Sequence, residues 1–155
     1  MKSTPKSPPP VAEKFFYAVI DTNVLVSALL NPDSVPGKVL SEALVGRLIP
    51  IASRAIEREY REVLARKKFP FSPAKVREVL SGLAKRAIHM EPQDLASAAA
   101  EVSDSKDAPF YAVTLDARKT LDARLVTGNT KHFPHSPCVV TPREMLDMLH
   151  ASQRA

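Results

Sequence analysis

The stretch Tyr17-Ala18-Val19-Ile20-Asp21-Thr22-Asn23 decides how this chain is read. An apolar run ends abruptly in an acid, a hydroxyl and an amide, and a second apolar pattern follows at once. An uninterrupted run of this kind is the pattern of a strand buried on both faces of a parallel sheet. Open α/β sheets bind ligands outside the carboxyl ends of their strands, which puts Asp21 where chemistry usually happens. The competing reading is that Asp21 and Asn23 merely turn the chain and cap the next helix. The rest of the chain has to choose.

Working outward, Phe15 to Asp21 reads as the first strand, and Val24, Leu25, Ala28 and Leu29 recur at helical spacing until Asn31-Pro32-Asp33 stops them. Pro36 to Val45 predicts a second helix with Gly46 just past its end. Leu48 to Ala52 predicts a strand, and Pro50 within it argues for an edge position or a strand start. Ser53 suits the N-cap of a helix striped by Ile56, Tyr60, Val63 and Leu64, which runs into Arg66-Lys67-Lys68. Ser72-Pro73 opens another helix, with Val76, Leu80 and Leu83 facing inward. Ala87 to Met90 is a weak strand. Asp104 to about Lys119 predicts a helix with Phe110, Tyr111 and Leu115 on its apolar face. Ala123 to Thr127 predicts a strand stopped by Gly128-Asn129, Val139-Val140 a short fifth one, and Thr141-Pro142-Arg143-Glu144 a capping box opening a C-terminal helix. Alternating strands and helices imply a parallel sheet covered on both faces.

The 155 residues fit one domain with a substantial core, residues 15–155, behind a proline-rich and lysine-rich tail over 1–14 that buries little. No apolar run approaches the roughly 20 residues of a membrane helix, and no apolar segment follows the basic start as in a secretory leader. One cysteine, Cys138, forms no internal disulfide, which suits a reducing cytoplasm. A net charge of +5 and a pI near 9.5 tilt the expected partner toward polyanions. Aromatic residues are only 6% with no Trp, so nucleic acid would be held through phosphate contacts and not by base stacking.

Several polar residues fall at strand ends and helix starts: Asp21, Glu59, Asp104, Asp107 and Asn129. At about 100° per residue, Glu59 and Glu57 lie at opposite edges of one apolar stripe, so periodicity alone does not choose between them. Oxygen ligands converging from separate elements are what a hard divalent cation such as Mg²⁺ or Mn²⁺ takes. Without a cation or a proton, such carboxylates would repel one another.

Val19-Ile20-Asp21-Thr22-Asn23-Val24-Leu25-Val26-Ser27-Ala28 resembles the opening motif of PIN domains, most closely the branch described as toxin components of toxin–antitoxin pairs. Ser53 to Leu64 resembles the second motif of that family, with Glu59 at its acid. Asp104-Ser105-Lys106-Asp107 with Phe110 resembles the third, with Asp107 at its acid. Leu125-Val126-Thr127-Gly128-Asn129, then His132-Phe133-Pro134 and Val140-Thr141-Pro142, resemble the closing segment. The resemblance spans roughly Phe15 to Leu149. It implies an α/β/α sandwich around a parallel sheet of four to five strands, and a metal-dependent ribonuclease restrained by a cognate antitoxin. Frequent dimerisation in the family implies a homodimer.

On that resemblance, Asp21, Glu59, Asp107 and Asn129 are the catalytic set, and Asp21, Asp107 and Asn129 the metal-holding one. Thr22, Asn23, Asp104, Thr127 and His132 support them, and Arg58, Arg61, Arg66, Lys67 and Lys68 would meet nucleic acid. Each has a plainer reading. Asp107 or Asp104 serves as a helix cap, Gly128-Asn129 as turn chemistry, His132 as a structural loop residue, and the basic cluster as a solvated helix exterior. One residue departs from the pattern: many PIN nucleases carry Asp where Asn129 stands. That leaves three acids instead of four and favours, as an alternative, a catalytically weak scaffold that binds RNA or a protein. Other α/β magnesium proteins fit poorly. A haloacid-dehalogenase phosphatase would want Asp at Asn23, and a receiver domain an acidic pair ending the first strand.

Overall fold

A computed structural model describes residues 15–154, so the tail expected over 1–14 lies outside the described residues. The chain folds around one five-stranded parallel sheet of order β3-β2-β1-β4-β5, with β1 Phe16–Ile20, β2 Leu48–Ala52, β3 Ile88–His89, β4 Ala123–Val126 and β5 Val139–Val140. Among the described residues seven helices surround it: α1 Thr22–Leu30, α2 Val35–Leu44, α3 Arg54–Leu64, α4 Pro73–Arg86, α5 Leu95–Glu101, α6 Ala108–Ala117 and α7 Pro142–Arg154. Successive residues Ala18, Val19 and Ile20 of β1 are all essentially inaccessible. Since neighbouring side chains in a strand point to opposite faces, both faces of the central strand are covered. The fold is the expected α/β/α sandwich.

The helix ends follow local chemistry. Ser34, Ser53, Ser72 and Asp94 cap α2, α3, α4 and α5 by accepting from backbone N–H groups of the first turn. Gly46, just past α2, takes φ +91°, the left-handed conformation in which glycine commonly ends a helix. Thr141 and Glu144 form the reciprocal pair of the capping box before α7, at 2.9 and 3.1 Å.

Three expectations need correction. Strand β2 is neither an edge strand nor one that begins at its proline, for it lies between β3 and β1 with Pro50 at its centre opposite Ala18. The Ala52 carbonyl accepts from Met90 beyond β3, so by the two-residue period the nitrogen of Pro50 faces the same side. There β3 begins only opposite Ile51, and the missing N–H costs no ladder bond. The helix expected from Asp104 is broken in two: a 3₁₀ turn over Ser105–Asp107, then α6 from Ala108. Leu115 of α6 is exposed, the buried face being carried by Phe110, Tyr111, Val113, Thr114 and Ala117. Helix α5, packed on α6, has an alanine-rich sequence with too little periodicity to be foreseen.

Candidate active site

Asp21 follows the last residue of the central strand. Its backbone N–H extends the ladder to Val126 of β4 at 2.9 Å, and its carboxylate caps α1 by accepting from the Thr22 N–H at 2.8 Å. The capping reading of Asp21 is therefore correct, and it does not exclude the chemical one. The other carboxylate oxygen accepts from the buried Thr127 hydroxyl at 2.7 Å and, at 3.4 Å, from the Asn23 amide. Asn23 in turn accepts from the Gly128 N–H at 3.1 Å, and Thr127 Oγ1 accepts from the Asn129 N–H at 3.0 Å. The ends of β1 and β4 are thus laced together through side chains.

The choice between Glu57 and Glu59 is made by tertiary structure. Thr22 Oγ1 donates to Glu59 Oε2, which turns Glu59 toward Asp21. Glu57 points away and meets His89 Nε2 at 3.3 Å. Between them on α3, Tyr60 is buried, and its hydroxyl donates to the Ile20 carbonyl at 2.5 Å, fixing α3 against the end of β1. Sequence patterning placed Tyr60 only among apolar residues. Burial pushes the pKa of its hydroxyl up, and the charges of Asp21, Glu59 and Glu57 add to the effect.

Asp107 closes the 3₁₀ turn, held by its N–H to the Asp104 carbonyl at 2.9 Å. His132 Nδ1 lies 3.5 Å from Asp107 Oδ2, and the His132 carbonyl accepts from Ser103 at 3.2 Å, so the two loops brace one another. Asp104 itself is exposed and caps the turn through the Lys106 N–H at 3.0 Å.

Three acids from three separate elements interact. Burial is the largest cause raising the pKa of Asp21, opposed by the Thr127 and Thr22 hydrogen bonds and reinforced by the Asp107 charge. Burial likewise raises Glu59, where the Thr22 hydrogen bond opposes it and Asp21 adds to it; Arg66 and Lys106 pull the other way. Asp107 is raised by burial and by the charges of Asp104 and Glu59, against His132. Each carboxylate is therefore disfavoured as an anion by the next.

An all-oxygen set under mutual repulsion fits a hard divalent cation, which relieves the repulsion it meets. Among the described residues, no three His, Cys, Asp or Glu side chains are drawn together tightly enough to hold an ion by themselves.

The remaining expected residues are placed less uniformly. Asn129 is exposed, and its side chain makes no hydrogen bond to Asp21 or Asp107 among the described residues. Arg58, Arg61, Arg66, Lys67 and Lys68 are all exposed. The charge of Arg66 reaches Glu59, Lys68 lies 5.2 Å over the Phe69 ring, and Arg61 borders a cavity between α3 and α4. Lys106, beside Asp107, was not foreseen; its only signal in the sequence is its place between the two acids of one turn.

The sequence profile of the PIN domain matches residues 17–131, most of the described chain and all of the acids above. An uncharacterized protein of Methanocaldococcus jannaschii, MJ1680, is 44% identical over 41 residues, 26% of each chain. The match thus spans about a quarter of that relative's length. No described helix is long and apolar enough to cross a membrane.

Proposed function

This chain belongs to the PIN domain family, whose members are generally nucleases, and on that premise we propose that it is a metal-dependent endoribonuclease. The observation that carries the reading is the buried Asp21 at the carboxyl end of the central strand, held by Thr127, with Glu59 turned toward it by Thr22 and the Asp107 charge reaching it.

In this reading Asp21 and Asp107 would hold Mg²⁺ or Mn²⁺, and Asn129 would offer a neutral oxygen donor. The cation would supply charge neutralisation at the phosphoryl oxygens and a lower pKa for the attacking water. Glu59, aimed by the Thr22 hydroxyl, would accept the proton of the attacking water. Thr22 keeps Glu59 aimed, and Thr127 fixes the carboxylate plane of Asp21. His132 sets Asp107. Arg66 and Lys106 meet the phosphates flanking the scissile one, with Arg58, Arg61, Lys67 and Lys68 as further contacts to the RNA backbone. The reading needs no covalent intermediate; Cys138 is buried, with its sulfur 3.2 Å from the Ser136 hydroxyl.

We propose further that the enzyme is the toxin of a toxin–antitoxin pair, working in the cytoplasm as a homodimer restrained by a cognate antitoxin protein. Its motif sequence supports that branch, and a lone free thiol suits a reducing compartment. A second reading, a weak scaffold that binds RNA or a protein, draws on Asn129 alone.

The test is cleavage of structured and single-stranded RNA with Mg²⁺, Mn²⁺ or EDTA, beside folded Asp21→Asn and Asp107→Asn variants. Metal-dependent cutting lost in both variants supports the nuclease. Intact RNA with folded, metal-loaded protein, and activity gained by Asn129→Asp, would favour the scaffold. Growth arrest on expression, relieved by the product of an adjacent reading frame, tests the toxin assignment.

A further inference from the structure

A cavity of about 590 Å³ opens between α3, α4 and β2, on the far side of Tyr60 from the acids. Its depth is apolar, formed by Ile51, Leu64, Val76 and Leu83, with Ile20 and Tyr60 also in its wall. The two arginines that line it, Arg61 of α3 and Arg77 of α4, are exposed, and neither has an ion-pair partner among the described residues. The one carboxylate lining the cavity, Glu57, is engaged by His89 at 3.3 Å. Size, apolar depth and a few polar groups are the attributes of a small-molecule site. Two unpaired guanidinium groups over an apolar interior select a ligand with an anionic head and a hydrocarbon body.

We infer that this cavity is a binding site for an amphipathic carboxylate, its chain between α3 and α4 and its head at Arg61 and Arg77. None of the three acids lines the cavity; Arg61 is the residue it shares with the proposed RNA contacts, and ligand binding is read in the absence of RNA. The site does put a ligand against Ile20, the residue before Asp21, and against Tyr60, which bonds to the Ile20 carbonyl.

Calorimetric titration of the full chain with decanoate, below its micelle concentration, tests the site. One saturable site is expected. Decanol, which lacks the charge, should bind about tenfold more weakly, as should decanoate with Arg61→Gln or Arg77→Gln. Butyrate, which lacks the chain, should not bind measurably. Ala84→Phe, at the cavity wall, should abolish decanoate binding; if circular dichroism shows that variant misfolded, the two arginine variants decide. Non-saturating uptake, no uptake at all, or equal affinity in parent and arginine variants would overturn the assignment.

Discussion

Thr22 and Glu59 are joined by a hydroxyl-to-carboxylate hydrogen bond that links the first turn of α1 to the middle of α3. It is this bond, and not helical spacing, that selects Glu59 over Glu57 as the acid facing Asp21. A residue whose aim depends on one donor should lose efficiency when the donor goes.

Thr22→Val keeps the shape and removes the donor. Under the nuclease reading, kcat for RNA cleavage should fall about tenfold with little change in KM, and Thr22→Ser should recover most of it. Steady-state kinetics on a fluorogenic RNA checks this. An unchanged kcat in Thr22→Val would remove the role given to Glu59.

The raised pKa of Asp21 carries a signed consequence for stability. The folded state binds its proton more tightly than the unfolded chain, whose carboxyl titrates near 3.8. The metal-free protein is therefore penalised at neutral pH, and the penalty fades as pH falls through the folded-state pKa toward that ordinary value. Asp21→Asn should accordingly gain melting temperature relative to wild type at pH 7, and the gain should be smaller near pH 3.8. Differential scanning fluorimetry in EDTA at both values measures the double difference.

Divalent cations should act in the opposite sense on the wild type. Mn²⁺ at a hundred times its dissociation constant should stabilise the protein by about 2.7 kcal/mol. That corresponds to a rise in melting temperature of roughly 5–10 °C for a chain of this size. EDTA should reverse it, and Asp107→Asn should abolish most of it. Equal shifts in wild type and Asp107→Asn would place the ion elsewhere.

Tyr60→Phe deletes one hydroxyl and leaves the Ile20 carbonyl without its partner in a buried setting. The cost should be about 1–3 kcal/mol, read from urea unfolding with an unchanged slope. Because its pKa is pushed up, the Tyr60 phenol should also stay protonated in an alkaline absorbance titration until the protein unfolds.

Much of this was legible in the sequence, for identifiable reasons. Val19 and Ile20 before Asp21 announce a strand buried on both faces, and the serine caps and Gly46 mark helix ends by chemistry that acts within a few residues. What escaped depends on contacts between distant segments. The tolerance of Pro50 follows from where β3 begins, not from β2 itself. Leu115 looks like its apolar neighbours but falls on the exposed side of α6. The structural use of the Tyr60 hydroxyl appears only when α3 meets the carbonyl of Ile20. Asn129 keeps its motif position, but its side chain is exposed and makes no hydrogen bond to Asp21 or Asp107 among the described residues.

The hydrogen bond from Thr127 to Asp21 spans 106 positions of sequence. A ribosome adding about 5–20 residues per second delivers Asp21 early and Thr127 roughly 5–20 s later. Through that interval β1 lacks β4 beside it, and the Asp21 carboxylate lacks the Thr127 hydroxyl. Any activity of this site therefore waits until β4 has been made and has paired with β1.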